Sequence, residues 1–146
     1  MGDFFDAVDV SASALSAERM RMNTTSSNLA NAQTTRTPEG GPYRRKDVIF
    51  AAEPTREFAS MLQGEMNTPL HHVHVQDVIS DPNPPKLISD PNHPDADENG
   101  YVAYPNINTM EEMVNMMTAS RSYEANVTAI NVSKSMMQKA LEIGRR

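Results

Sequence analysis

The sequence predicts a mainly α protein with a small β-rich insert, and three observations carry that prediction. The stretch from Thr109 to Gly144 holds apolar residues at alternating spacings of three and four, with no proline and no internal glycine. A second, weaker stripe of the same kind crosses the first thirty or so residues. All 10 prolines fall between Pro38 and Pro105, so an irregular middle separates two helical flanks.

The first flank is predicted to be helical from about Asp3 to Asn31. Val8, Leu15, Met22 and Leu29 recur every seventh position, with Phe5, Ala12 and Ser26 on neighbouring rows. That is an amphipathic pattern. Asp3 and Asp6 stand where a helix presents its positive end. The stretch is rich in Ser, Thr and Asn, which lowers its intrinsic helix propensity, so alone in water it should be largely unfolded.

Gln33 to Pro42 is a breaker zone of Thr, Pro and Gly. Arg44, Arg45 and Lys46 form the only basic run, readable as a solvated loop edge or as a contact to an acidic neighbour. Tyr43 to Ala52 is predicted to be a strand centred on Val48, Ile49 and Phe50. Phe58 to Leu62 fits a helical turn or a strand equally well. His71 to Ser80 alternates, with Val73 and Val75 against His72, His74 and Gln76, as a half-buried strand does. Lys86 to Ser89, bracketed by Pro84, Pro85 and Pro91, predicts an edge strand, and Tyr101 to Tyr104 another, stopped by Pro105.

The last flank is the strongest element. Its predicted seam is Met113, Met116, Ser120, Tyr123, Val127, Ile130, Lys134, Met137 and Leu141. Thr109 and Glu112 have capping-box spacing, and Gly144 with Arg145 and Arg146 suits a helix end. At about 1.5 Å per residue such a helix is roughly 50 Å long. One seam cannot offset the entropy of ordering it, and Val114, Met117, Val132, Met136 and Ile143 lie off that seam. More than one neighbour is expected. Of the chain's 11 methionines, Met110, Met113, Met116, Met117, Met136 and Met137 lie here, and unbranched Met packs adaptably against unlike surroundings.

Composition narrows the function. Only 5% of residues are aromatic and Trp is absent, which fits a helical assembly better than a compact globular core. A net charge of −6 and a pI of about 5.1 argue against nucleic acid as a partner. The absence of Cys excludes disulfide and thiolate chemistry. No apolar run approaches the ~20 residues needed to cross a bilayer, so no membrane insertion is expected. The acidic start Asp3-Phe4-Phe5-Asp6 lacks the basic and apolar regions of a cleaved signal peptide.

Two clusters tempt a metal reading. His72 and His74 share a strand face about 7 Å apart, with His71 beside them, but a metal site needs three or four converging ligands. The stretch reads as a polar strand face. Asp95-Ala96-Asp97-Glu98-Asn99-Gly100 matches the first half of a calcium loop, yet Asn106 stands where the bidentate Glu belongs. It reads as an acidic turn with Gly100 at positive φ. No nucleophile elbow, phosphate loop or dinucleotide fingerprint occurs, so neither catalysis nor a cofactor is expected. The alternative to an assembly protein is a soluble calcium- or metal-binding helical adaptor using Asp95, Asp97 and Asn99 or His71 to His74.

Certain stretches carry a resemblance. Met22-Asn23 followed by Ser27-Asn28-Leu29-Ala30-Asn31-Ala32 resembles the signature of the bacterial flagellar rod and hook axial family. Thr35 to Lys46, Asp90-Pro91 with His93 to Val102, Tyr104-Pro105-Asn106, Glu111 to Val114 and Ala119 to Val127 resemble the proximal-rod members of that family. The resemblance implies axial segments 1–36 and 108–146, paired as an antiparallel coiled coil lining a tubular rod, around an outer insert 37–107. It implies export without cleavage through the flagellar type III apparatus, assembly in the periplasm with further copies and other rod proteins, torque transmission and enclosure of the export channel. The residues expected to carry assembly are Val8, Leu15, Met22, Asn28, Leu29 and Asn31, with Met113, Met116, Tyr123, Val127, Ile130, Met137 and Leu141. Polar Ser120 and Lys134 would set register on the seam.

Overall fold

The computed structural model describes residues 2–54 and 71–144. In chain order they form α1 (Gly2–Ala30), β1 (Lys46–Pro54), β2 (His71–Ser80), β3 (Lys86–Ser89), β4 (Tyr101–Tyr104) and α2 (Thr109–Gly144). The protein is mainly helical, with two terminal helices and two small two-stranded sheets, β1–β2 and β3–β4. The stretch Phe58 to Leu62, with its two sequence readings, lies outside the described residues, as do Arg145 and Arg146.

The start of α2 differs from the capping box expected of Thr109 and Glu112. The cap is Asn108, whose Oδ1 accepts the Met110 N–H at 3.2 Å and whose carbonyl accepts the Glu112 N–H at 3.0 Å. The Glu112 side chain turns away from the helix end and into a buried network. Asn caps as well as Thr does, so the choice falls to Asn108 once Glu112 is engaged elsewhere. Strand β1 begins at Lys46 rather than Tyr43, because the Tyr43 N–H is held by the Thr34 carbonyl at 3.0 Å.

The buried stripes follow size as much as polarity. Along α2 the expected column Met116, Tyr123, Ile130 and Met137 is half-buried. The second column is displaced: Glu112 and Ala119 are buried and Asn126 and Ser133 half-buried, while Met113, Lys134 and Leu141 are exposed. Ser120 and Val127 keep intermediate positions. On α1, Val8, Leu15, Met22 and Leu29 are half-buried, but the flanking row is Ala17, Thr25 and Asn28, not the exposed Phe5, Ala12 and Ser26. Small or hydrogen-bonding side chains permit the closest approach of a neighbour, and apolar periodicity does not register that.

The chain divides into two compact units, one drawn from Met1–Met20, Phe50–Gln76 and Ala119–Arg146, the other from Arg21–Ile49 and Asp77–Thr118. In the first, Ala17 and Ala119 are the buried apolar residues among those described. There Ser13 Oγ accepts the Val73 N–H at 3.2 Å.

The second unit holds the more closed core. β3 and β4 are antiparallel, with Ile88 opposite Val102 and Leu87 opposite Ala103. Val102 is fully buried and Ile107 nearly so. The turn before β4 is fixed by Asp97 N–H to Tyr101 O (2.8 Å), Gly100 N–H to Asp97 O (2.8 Å) and Asp90 N–H to Gly100 O (3.0 Å). Gly100 has φ +77°, as the sequence predicts, and a Cβ there would sit 3.3 Å from Pro91 Cγ. Gly41, at φ +79°, has open space around it. Gly41→Ala is therefore expected to cost only backbone strain, about 1–2 kcal/mol. Gly100→Ala carries the same strain plus a steric contact and should melt lower, which paired thermal unfolding curves would check.

Candidate functional site

The most closely built group of side chains among the described residues is a polar clasp within the second unit. It joins the last turns of α1, the loop into β1 and the first turn of α2. Asn28 sits at its centre, 1% exposed. Its Nδ2 donates to the Lys46 carbonyl at 2.8 Å and to Glu112 Oε2 at 3.0 Å, and its Oδ1 accepts from the Lys46 N–H at 2.9 Å and the Tyr43 hydroxyl at 3.1 Å. All donors and both acceptor positions of the amide are used. Toward Lys46 the amide behaves as a neighbouring strand residue would, taking both the N–H and the C=O of one backbone unit.

Glu112 is equally enclosed, at 1% exposure. Arg45 Nε donates to its Oε1 at 2.8 Å, and Arg45 Nη1 also donates to Asp47 Oδ2 at 3.1 Å. The basic run therefore divides: Arg45 meets an acidic neighbour within its own chain, while Arg44 and Lys46 are exposed. Burial pulls the Arg45 pKa down, but the hydrogen bond and charge of Glu112, helped by Asp47, push it up by more, leaving it raised. A raised base contributes stability that is complete below its ordinary range and lost only above it. The Arg45 side of the clasp is thus charged throughout the physiological range.

A second tier extends the clasp down the α1 signature. Ser27 Oγ lies 3.3 Å from the Tyr43 hydroxyl. Asn31 Nδ2 donates to the Ser27 carbonyl at 2.9 Å, and Thr34 Oγ1 donates to Asn31 Oδ1 at 3.1 Å. Of the residues expected to carry assembly, Asn28 and Asn31 are thus brought into one network, whereas Leu29 is half-buried beside it. The sequence reading does not place Tyr43 or Glu112 in it, and it offers the basic run an acidic neighbour without naming which one. The signal for Glu112 is a carboxylate heading a column of small and polar residues, Ala119, Asn126 and Ser133, at heptad spacing, and for Arg45 a lone basic run in an acidic chain.

The tempting ion sites resolve into local pairs. His72 Nε2 lies 3.7 Å from Asp9 Oδ2, and His74 Nε2 lies 3.8 Å from Glu53 Oε1. No group of three His, Cys, Asp or Glu converges among the described residues. In the acidic turn, Asp95 Oδ2 accepts from Thr35 Oγ1 at 2.8 Å and Oδ1 faces Arg36 at 3.8 Å, so both its oxygens face partners from the loop after α1.

Residues 9–36 match the family described as flagella basal body rod protein, and residues 98–143 match the C-terminal family of flagellar basal body rod FlgEFG proteins. Asn28 lies in the first match and Glu112 in the second, so the clasp ties together the two segments that define the class: a rod protein of the flagellar basal body. Whole-chain relatives refine this. The chain is 45% identical over 148 residues to the flagellar basal-body rod protein FlgC of Bacillus subtilis, covering 97% of this chain and 98% of that one. It is 43% identical over 146 residues to FlgC of Borreliella burgdorferi, covering 95% and 96%. It is 43% identical over 137 residues to FlgC of Salmonella typhimurium, covering 94% and 95%. The chain belongs to the FlgC family of flagellar basal-body rod proteins.

Proposed function

We propose that this structural rod subunit works by completing, in contact with further copies and other rod proteins, the helical surfaces that a single chain leaves open. The observation that carries this reading is the exposure of large apolar residues along α2. Met117 is 54% exposed, Val132 53%, Met136 65%, Leu141 52% and Ile143 76%. So much apolar surface on one helix is an interaction site waiting for a partner. On this reading segments 1–36 and 108–146 are the axial parts, pairing as an antiparallel coiled coil that lines the tube, and 37–107 is the outer insert. Val8, Leu15 and Met22 with Met116, Tyr123, Val127, Ile130 and Met137 form the inner seam, and Met113 and Leu141 meet neighbours.

The role is mechanical rather than enzymatic. The rod transmits torque and encloses the channel through which later subunits leave. The chain itself passes uncleaved through the flagellar type III apparatus and takes its place on the periplasmic side of the basal body. Helices that gain most of their packing on arrival can travel unfolded, since their order is supplied by the contacts they make there.

The double substitution Val132→Lys with Met136→Lys tests this. Both sites are exposed, so the free chain should keep its stability within about 0.5 kcal/mol in urea unfolding. Cells whose only copy carries the pair should lose swimming and yield basal bodies lacking the protein. Normal swimming would overturn the reading.

A further inference from the structure

The loop that follows α1 builds a cationic cavity beside the clasp, which shares Asn31, Thr34, Tyr43 and Lys46 with its wall. It has a volume of about 380 Å³, and Arg36, Arg44 and Lys46 stand in its wall against one carboxylate, Glu39. Its shape is set in advance. Thr37 N–H bonds Gly41 O at 2.9 Å, Gly40 N–H bonds Thr37 O at 3.0 Å, and Thr37 Oγ1 reaches Gly41 O at 3.2 Å. Gly40 and Gly41, both at positive φ, make that loop possible. Among the described residues, Arg44 and Lys46 have no carboxylate partner, and Arg36 has only Asp95 at 3.8 Å. Three cations gathered around one cavity on a chain of net charge −6 form a local inversion of sign.

The same unit carries the complementary feature. In the turn 95–100, Asp95 is engaged by Thr35 and Arg36. Asp97 and Glu98 are exposed, and the turn that presents them is held by the backbone bonds into Tyr101 and Gly100. A backbone-held anionic turn and a cationic cavity on a backbone-held loop give one chain both halves of a heterologous pair: each copy offers one half and accepts the other, so the contact runs head to tail, as a ring where the rotation closes and as a helix where it does not. We infer that the cavity of Arg36, Arg44 and Lys46 receives the Asp97–Glu98 turn of a second copy of this chain. The inference deepens the proposed assembly role and rests on it.

A membrane surface fits less well. Three cations at about 1 kcal/mol each give weak attachment, and the described helices include none long and apolar enough to cross a membrane. A concave site also suits a protruding turn better than a flat sheet of headgroups.

The chain has no Cys, which makes the test clean. Arg44→Cys and Glu98→Cys, carried on two differently tagged full-length chains in one cell, should give a bismaleimide-linked dimer containing both tags in isolated basal bodies. In parallel, Arg44→Glu should weaken incorporation on the order of fivefold, as loss of about one exposed ion pair does. Arg44→Gln should fall between it and the parent chain, and adding a Glu98→Arg chain should restore incorporation. Basal bodies that contain both Cys chains but yield no mixed-tag dimer would overturn the contact and leave the rod role standing. So would an Arg44→Glu chain that incorporates normally, or one whose loss is confined to binding of phosphatidylglycerol vesicles. If the parent chain itself were missing from basal bodies, the rod role would fail first.

Discussion

Arg45→Met is expected to destabilise the chain by about 3–5 kcal/mol, because it strands a buried carboxylate. Glu112 is 1% exposed and its Oε1 takes the Arg45 Nε–H at 2.8 Å. Met matches the length of the Arg stem and keeps its packing, so the loss is that of the charge partner. The remaining contact to Glu112, the Asn28 amide at 3.0 Å, is a neutral donor and cannot replace it. Adding Glu112→Gln to Arg45→Met should recover most of the loss, since a neutral amide is cheaper to bury than an unpaired carboxylate. Glu112→Gln alone should cost less than Arg45→Met, because Arg45 is 22% exposed and can turn toward water and Asp47. Urea unfolding of the four proteins as a double-mutant cycle measures the coupling directly. Equal losses for the two single variants would mean that the carboxylate finds solvent when Arg45 is gone.

That outcome bears on what could be read from the chain alone. The bounds of β2, β3 and β4 match the sequence reading, because prolines mark them off, but β2 does not alternate in burial: His72 to Val75 are all half-buried and the rest of the strand is exposed. The signature around Asn28 was legible as a family mark, but its physical role was not. The partners of Asn28 stand 18 and 84 positions away, at Lys46 and Glu112, and no local pattern joins them. The local rule for Glu112 is that of a capping residue; a tertiary ion pair overrides it. The seam on α2 shows the same limit. Apolarity selected Met113 and Leu141, yet closeness in the single chain selected Ala119, Asn126 and Ser133. Where an apolar residue of a strong heptad stays exposed in one chain, the sequence is describing surroundings that the single chain does not contain.

Asn28→Asp is the sharper test of the clasp, for it changes one NH2 into one oxygen and leaves the shape alone. The native Nδ2 lies 2.8 Å from the Lys46 carbonyl and 3.0 Å from Glu112 Oε2. A carboxylate oxygen in that place would face two acceptors, one of them charged, with water excluded. The expected loss is about 3–5 kcal/mol, the cost of an uncompensated buried charge. Asn28→Ala, which deletes hydrogen bonds without adding charge, should cost less, about 1–3 kcal/mol for the groups it leaves unsatisfied. The two variants also separate by pH. Burial beside an acceptor and a like charge raises the introduced carboxylate's pKa in the folded state, so the folded chain binds the extra proton more readily than the unfolded one. The stability of Asn28→Asp should therefore recover as pH falls toward the carboxylate range, relative to Asn28→Ala measured at the same pH. Parallel losses across pH 5 to 8 would show that the Asn28 site admits water and that the clasp holds by shape rather than by its hydrogen bonds. A rod subunit whose two signature segments meet through one enclosed amide should instead fail most sharply where that amide can no longer donate.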